Sequence, residues 1–174
     1  PWVLEAKNET AQKKNIATLF NLTRMSRELE RTVRELELMQ SPNGGFTWFK
    51  GMPEDRFMTQ YILTGIGRLM HIGVTETGNE QRIIQIVRKA IPYLDTRIKD
   101  DYEELIQRKY DLNANHLSNT QIQYLYMRSF YKEIPVSPAT QKAFDYFKKQ
   151  ASQYWLRNNR YMQGMIALAL KRWS

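Results

Sequence analysis

Three times along this chain a helical stretch dense in charge is followed by one with almost none, and that alternation restricts the fold more than any single motif does. A helix charged on one face lies on a surface, whereas one that is apolar around most of its circumference is packed on several sides. Alternating the two calls for two layers: outer helices burying a single stripe, and inner helices enclosed by the outer layer and by one another. No stretch shows sustained strand alternation. The expected fold is all-α, a whole or partial α/α toroid or solenoid. It has about three antiparallel helical hairpins, charged outside and uncharged inside, plus one N-terminal helix.

The first helix is expected over residues 8–20 with Asn8 as its cap, and the second over residues 21–40, started by Asn21. In the second, Leu22, Met25, Leu29, Val33, Leu36 and Met39 recur every three or four residues. Arg24, Arg27, Glu28, Glu30, Arg31, Arg34, Glu35 and Glu37 fill its other face, so it reads as an amphipathic surface helix. The chain then turns through Gln40, Asn43, Gly44, Gly45, Phe46 and Trp48 and restarts at Asp55, an N-cap residue type, with Gly73 as the stop after Ile72. Between Arg56 and Arg68 this helix carries no charge, and Phe57, Tyr61, Ile62, Leu63, Ile66, Leu69 and Met70 surround it, so burial on all sides is expected.

The pair recurs in residues 79–110, a charged stretch that Pro92 should kink or split, and again after the polar connector 111–117. There Ser118 caps a helix reaching about Tyr131, and no Asp, Glu, Lys or Arg occurs from Leu112 to Met127. The third pair opens at Ser137 with Pro138 in the first helical position and runs to about Trp155. After Asn158 and Asn159 it is followed by residues 161–170, again free of charge. Gly65, Gly67, Gly164, Ala167 and Ala169 are expected to let inner helices approach closely.

At 174 residues, 42% of them apolar and 12% aromatic, the chain is expected to form one domain, residues 1–174, or part of one. Its opening at Pro1 without an initiator Met suggests a processed product or a piece of something longer. The longest uncharged runs are about a dozen residues, short of the roughly 20 apolar residues that a membrane-spanning helix needs. No cysteine is present, so thiol catalysis, disulfides and Cys-ligated zinc are excluded within these residues. The net charge is +8, with seven Lys or Arg against Asp145 alone in residues 137–174. Lys142, Lys148, Lys149, Arg157, Arg160, Lys171 and Arg172 are dispersed, which reads as a solvated face before an anion site.

Candidate chemistry is thin. Gly44 and Gly45 follow a helix instead of a strand, and Lys50 is out of register for a phosphate loop, so the pair reads as a structural corner. Trp48 and Phe49 beside it read as lids on the helical layers. His71 and His116 have no carboxylate at ligand spacing and form neither a metal site nor a triad. Asp100, Asp101, Glu103 and Glu104 could hold a cation, but Arg97, Lys99 and Arg108 stand at helical spacing, favouring a salt-bridged face. Tyr61, Tyr124, Tyr126 and Tyr161 on the uncharged helices read as core. No cofactor, metal or catalytic residue is expected. Lys148, Lys149, Arg157 and Arg160, with Trp48 and Phe49, are the residues offered as a partner surface. Nucleic acid is not expected as a partner, although Tyr154 and Trp155 among those cations resemble a thin version of a binding surface.

The corner Gln40, Asn43, Gly44, Gly45, Phe46 and Trp48, then Asp55, then Thr59, Gln60, Tyr61, Ile62, Leu63 and Gly65, resembles the thioester-domain repeat of the α2-macroglobulin and complement family. Residues 1–9, beginning Pro1, Trp2, Val3 and Leu4, and the run Leu19, Phe20, Asn21, Leu22, Arg24 and Met25 resemble its Bacteroidetes envelope members. Specific likeness covers roughly the first 75 residues, and helix alternation alone covers the rest. The resemblance implies a fragment of an α/α toroid in a protease-trapping protein of the bacterial envelope or periplasm. Its partners would be proteases and the rest of the parent chain. The family's reactive bond joins the Cys and Gln of a Cys-x-Glu-Gln motif, and a chain without cysteine cannot contain it. A part-ring leaves inner-helix surface open, so a homodimer through that face is a further expectation. The same corner also resembles the repeats of terpenoid cyclases and protein prenyltransferases, but neither an aspartate-rich motif nor a zinc ligand set is visible.

Overall fold

The computed structural model of the protein describes residues 9–73 and 79–174. It is all-α, with helices α1 (Glu9–Met39), α2 (Arg56–His71), α3 (Glu80–Gln107), α4 (Asn119–Arg128), α5 (Pro138–Tyr154) and α6 (Arg160–Trp173), and a 3-10 turn at Trp155–Arg157. Among the described residues the only β pairing is two isolated bridges, Gln40 with Phe46 and Phe46 with Asp55. No described helix is long and apolar enough to cross a membrane.

The helices form two rows, as the charge alternation requires. In the charged row α1 touches α3 and α3 touches α5, and in the uncharged row α4 lies between α2 and α6. The rows meet through α2 with α3, α3 with α4, α4 with α5, and α5 with α6. Between them lies one apolar cluster, including Leu63 and Ile66 of α2, Ile86, Ile91, Leu94 and Ile98 of α3, Ile122 and Met127 of α4, Phe144 and Phe147 of α5, and Ile166 of α6.

Local chemistry sets the helix starts. Asp55 Oδ1 accepts the Met58 N–H at 2.7 Å, and Asn159 Oδ1 accepts that of Met162 at 3.0 Å. Ser118 Oγ accepts the Thr120 N–H at 3.2 Å while Gln121 Oε1 accepts the Ser118 N–H at 3.0 Å, a reciprocal capping arrangement. Gly73 stands just past α2 at φ +76, the left-handed conformation that lets a helix end.

Several expectations are corrected. The two N-terminal helices are one, because Asn21 costs a helix interior well under 1 kcal/mol and nothing around it breaks the hydrogen-bond ladder. Asn8, its expected cap, lies outside the described residues, as do residues 1–7 and the side chain of Leu22. The α1 stripe is covered only around Leu29, Val33 and Leu36, because among the described residues α3 is the only helix that α1 touches; Met25 and Met39 are exposed. Pro92 does not split α3, since its ring faces solvent while buried Ala90, Ile91, Leu94 and Ile98 pin the helix on both sides of it. The helix capped by Ser118 ends at Arg128, three residues before the expected Tyr131.

The largest correction concerns α2, which is buried on one side only. Thr59, Gln60, Leu63, Ile66 and Gly67 face the core, whereas Phe57, Tyr61, Leu69 and Met70 are exposed. The cause is position: α4 has neighbours on both sides in its row, while α2 stands at a row end with only α3 and α4 against it. Gly65 and Gly164 have open space where a Cβ would stand, and Ala167 is exposed, so these three do not mediate helix approach. Gly67 does permit a close approach: a Cβ there would come within 2.7 Å of the Phe130 ring.

Candidate functional site

The glycine corner is a joint between the rows. The Gln40 side-chain amide donates to the Gly44 carbonyl at 3.0 Å and to the Ile86 carbonyl at 2.9 Å, tying the end of α1 to α3. Gly44 has φ +93, and a Cβ there would stand 1.9 Å from the Lys89 carbonyl oxygen. Glycine is therefore required twice, by conformation and by space. Asn43 Oδ1 accepts the Gly45 N–H at 3.0 Å, which turns the loop inward and drives Phe46 to complete burial. Phe46 N–H donates to Thr59 Oγ1 at 2.8 Å, Thr59 Oγ1 donates to the Asp55 carbonyl at 2.8 Å, and Asp55 N–H donates to the Phe46 carbonyl at 2.8 Å. The spacing from Gly45 and Phe46 to Asp55 and Thr59 is the covalent pattern of this closed circuit.

Two residues grouped with the corner by sequence lie outside that circuit. Trp48 is half exposed and stacks on Phe57 at 6.3 Å, and Phe57 stacks on Tyr61 at 6.2 Å, forming an aromatic run along the open face of α2. Tyr61 is 68% exposed, and Phe49 projects still further into solvent. Trp48 and Phe49 thus cover nothing substantial. Tyr124 and Tyr126 are core residues as expected, but Tyr161, like Tyr61, is exposed.

The aromatic run leads into an open cavity of about 270 Å³ between the uncharged helices, lined by Tyr61, Gly65 and Arg68 of α2, Gln123 of α4, and Tyr161 and Met165 of α6. The Arg68 guanidinium lies 5.5 Å from the Tyr126 ring centre and Arg172 of α6 lies 5.4 Å from it, so both cations attend one aromatic ring. Arg172 also lies 4.0 Å from the Phe130 ring centre and donates to Ser129 Oγ at 3.2 Å. The hydroxyls of Tyr126, first, and Tyr161 hold the Arg68 pKa above its ordinary value. Neither Arg68 nor Arg172 has a carboxylate partner among the described residues, and α2, α4 and α6 contain no Asp or Glu.

The four-carboxylate cluster on α3 is fully paired. Asp100 meets Arg97 at 3.4 Å, Glu103 meets Lys99 at 3.4 Å and Glu104 meets Arg108 at 2.6 Å. Asp101 crosses to Arg56 of α2 at 2.8 Å and accepts from Gln121 of α4 at 2.7 Å, which makes it a strut between rows. His71 is exposed and its ring lies 6.3 Å from that of Phe130 in a T-shaped contact, and the His116 Nε2 lies 2.9 Å from the Asp111 carbonyl. Among the described residues no group of three or more His, Asp or Glu is placed to hold a metal ion. The C-terminal cations do not converge either. Lys148 reaches the Trp173 carbonyl at 3.5 Å and Arg157 lies over the Tyr154 ring at 5.2 Å, while Lys149 and Arg160 are exposed.

Sequence reasoning missed a buried ionic node. Asp95 of α3 accepts from Arg128 Nε at 3.2 Å and from the Tyr124 hydroxyl at 2.6 Å, with Arg128 completely buried. Arg128 also donates to the carbonyls of Tyr131 at 2.7 Å and Ile134 at 2.6 Å, fixing the turn after α4. Burial raises the Asp95 pKa, and Arg128 draws it part of the way back. The signal was an aspartate within the apolar stripe of Ile91, Leu94 and Ile98. Its partner lies 33 residues away, beyond the reach of local spacing.

A scan against protein-family models finds no match, and searches of curated proteins and of solved structures find no significant relative. The structure establishes an all-α chain of two helical rows with an open, acid-free groove on the uncharged row.

Proposed function

We propose that this chain is a structural and interaction segment of an α2-macroglobulin-like protease trap, acting through its surfaces and not by catalysis. The observation that carries the reading is the corner circuit. The same Gln40, Asn43, Gly44, Gly45, Phe46, Asp55 and Thr59 that resemble the thioester-domain repeat serve one geometric purpose, joining a charged helix to an uncharged one across two rows. The alternating rows agree with an α/α toroid, of which residues 1–174 would form part of a single domain. The uncovered apolar stretch of α1 at Ile16, Leu19 and Phe20 is the kind of edge that further hairpins of a parent chain would cover. Proteases and the remainder of the parent are the partners this implies, in a bacterial envelope or periplasm. The reactive thioester, where the parent has one, lies outside these residues, which contain no cysteine.

Assaying the isolated chain tests the reading against its rivals. Incubation with polyprenyl diphosphates, a peptide prenyl acceptor and generic ester and peptide substrates is expected to give no turnover. Turnover of any of them overturns the proposal in favour of a toroid enzyme. Retention of oligonucleotides that weakens steeply with salt would overturn it in favour of a nucleic-acid binder.

A further inference from the structure

We propose that the groove between α2, α4 and α6 is a docking site for an acidic peptide segment bearing aromatic or aliphatic anchors, supplied by another protein. Three features of the groove converge on that chemistry. Arg68 lines the cavity and lies 5.5 Å from the Tyr126 ring centre, while Arg172 lies 5.4 Å from the same ring and lines the neighbouring hollow with Gly67, His71 and Phe130. Neither has a carboxylate partner among the described residues, and the three helices around the groove carry no Asp or Glu. The apolar component is the stacked run Trp48, Phe57 and Tyr61, which opens to solvent beside the cavity of about 270 Å³.

Charge complementarity selects the occupant. Aromatic walls with an arginine suit a segment that places a few carboxylates among large apolar side chains, because such side chains lose little entropy when anchored. Single-stranded nucleic acid also stacks on aromatic rings, but it needs a continuous track of cations for its phosphates. Among the described residues Arg68 is the only cation lining this cavity. A second copy of the chain inserting its own exposed stripe, Ile16, Leu19 and Phe20, is disfavoured by charge. Arg24, Arg27 and Glu28 stand around Phe20, and Lys13 and Lys14 precede it, so positive charge prevails there and like charges would be brought together.

The test is selection of a random short-peptide display library on the whole chain, followed by fluorescence anisotropy with an enriched peptide resynthesised with a dye. Enriched sequences are expected to combine Asp or Glu with Trp, Phe or Leu, and binding should weaken as salt is raised. Arg68→Gln and Tyr61→Ala should each weaken it about tenfold or more, while Arg88→Gln on the outer row leaves it unchanged. Arg68 and Tyr61 are exposed, so unchanged thermal melts of both variants keep the comparison valid. The proposal is overturned by neutral or basic enriched sequences, by no enrichment, by equal affinity of Arg68→Gln, or by tighter binding of oligothymidine than of the peptide.

Discussion

Removing the Asp95 carboxylate should destabilise this protein more than any surface change. Asp95→Ala leaves a guanidinium with no exposed surface beside an empty acceptor position, and it also strips the Tyr124 hydroxyl of its partner. Breaking a buried pair from one side typically costs about 3–5 kcal/mol, since the remaining charge is neither hydrated nor compensated. For a chain of this size each kcal/mol lowers the melting temperature by about 2–4 °C, so a drop of about 6–20 °C is expected. Arg128→Met should cost at least as much, because it also strands the carbonyls of Tyr131 and Ile134. The double variant Asp95→Leu with Arg128→Met should be no worse than Arg128→Met alone, since an aspartate without its cation is itself a burden. Urea unfolding followed by circular dichroism gives all three values. A loss under about 1 kcal/mol for Asp95→Ala, or additive effects in the double variant, would refute the view that this pair is a coupled buried node.

Further outcomes follow from the same geometry. Gly44→Ala should cost about 2–5 kcal/mol, combining the positive φ with displacement of the Lys89 carbonyl, measurable by denaturant unfolding. Gln40→Ala should cost about 1–3 kcal/mol by leaving the Gly44 and Ile86 carbonyls without their donor, and Gln40→Glu should not rescue it because the carboxylate cannot donate. Burial raises the pKa values of Tyr124 and Tyr131 above their ordinary value. The unfolded tyrosine loses its proton near pH 10 while the folded one keeps it. Stability present below pH 10 is therefore lost as pH rises beyond it, by about 1.4 kcal/mol per pH unit for each such tyrosine. Urea midpoints across that range should fall less steeply in Tyr131→Phe.

What could be read from sequence was what local chemistry decides. Asp55 and Ser118 announced their helices because a cap acts on amides two or three residues away. The two rows followed from where charge is absent, since an uncharged helix has few places to lie. Features set by distant neighbours were hidden. The exposure of Phe57, Tyr61 and Tyr161 depends on how many helices flank α2 and α6 in their row, which periodicity does not encode. The Asp95 and Arg128 pair required knowing that α3 and the end of α4 meet. Pro92 and Asn21 look like breaks in isolation, but both sit inside helices that continue past them.

Protease trapping by the longer parent chain that the proposed function implies is the measurement closest to that proposal. Mixed with an endopeptidase, the parent is expected to abolish cleavage of a large protein substrate while cleavage of a small chromogenic peptide continues, because a caged protease keeps its active site but loses access to bulky substrates. Unchanged cleavage of both substrates, or loss of both together, would contradict it.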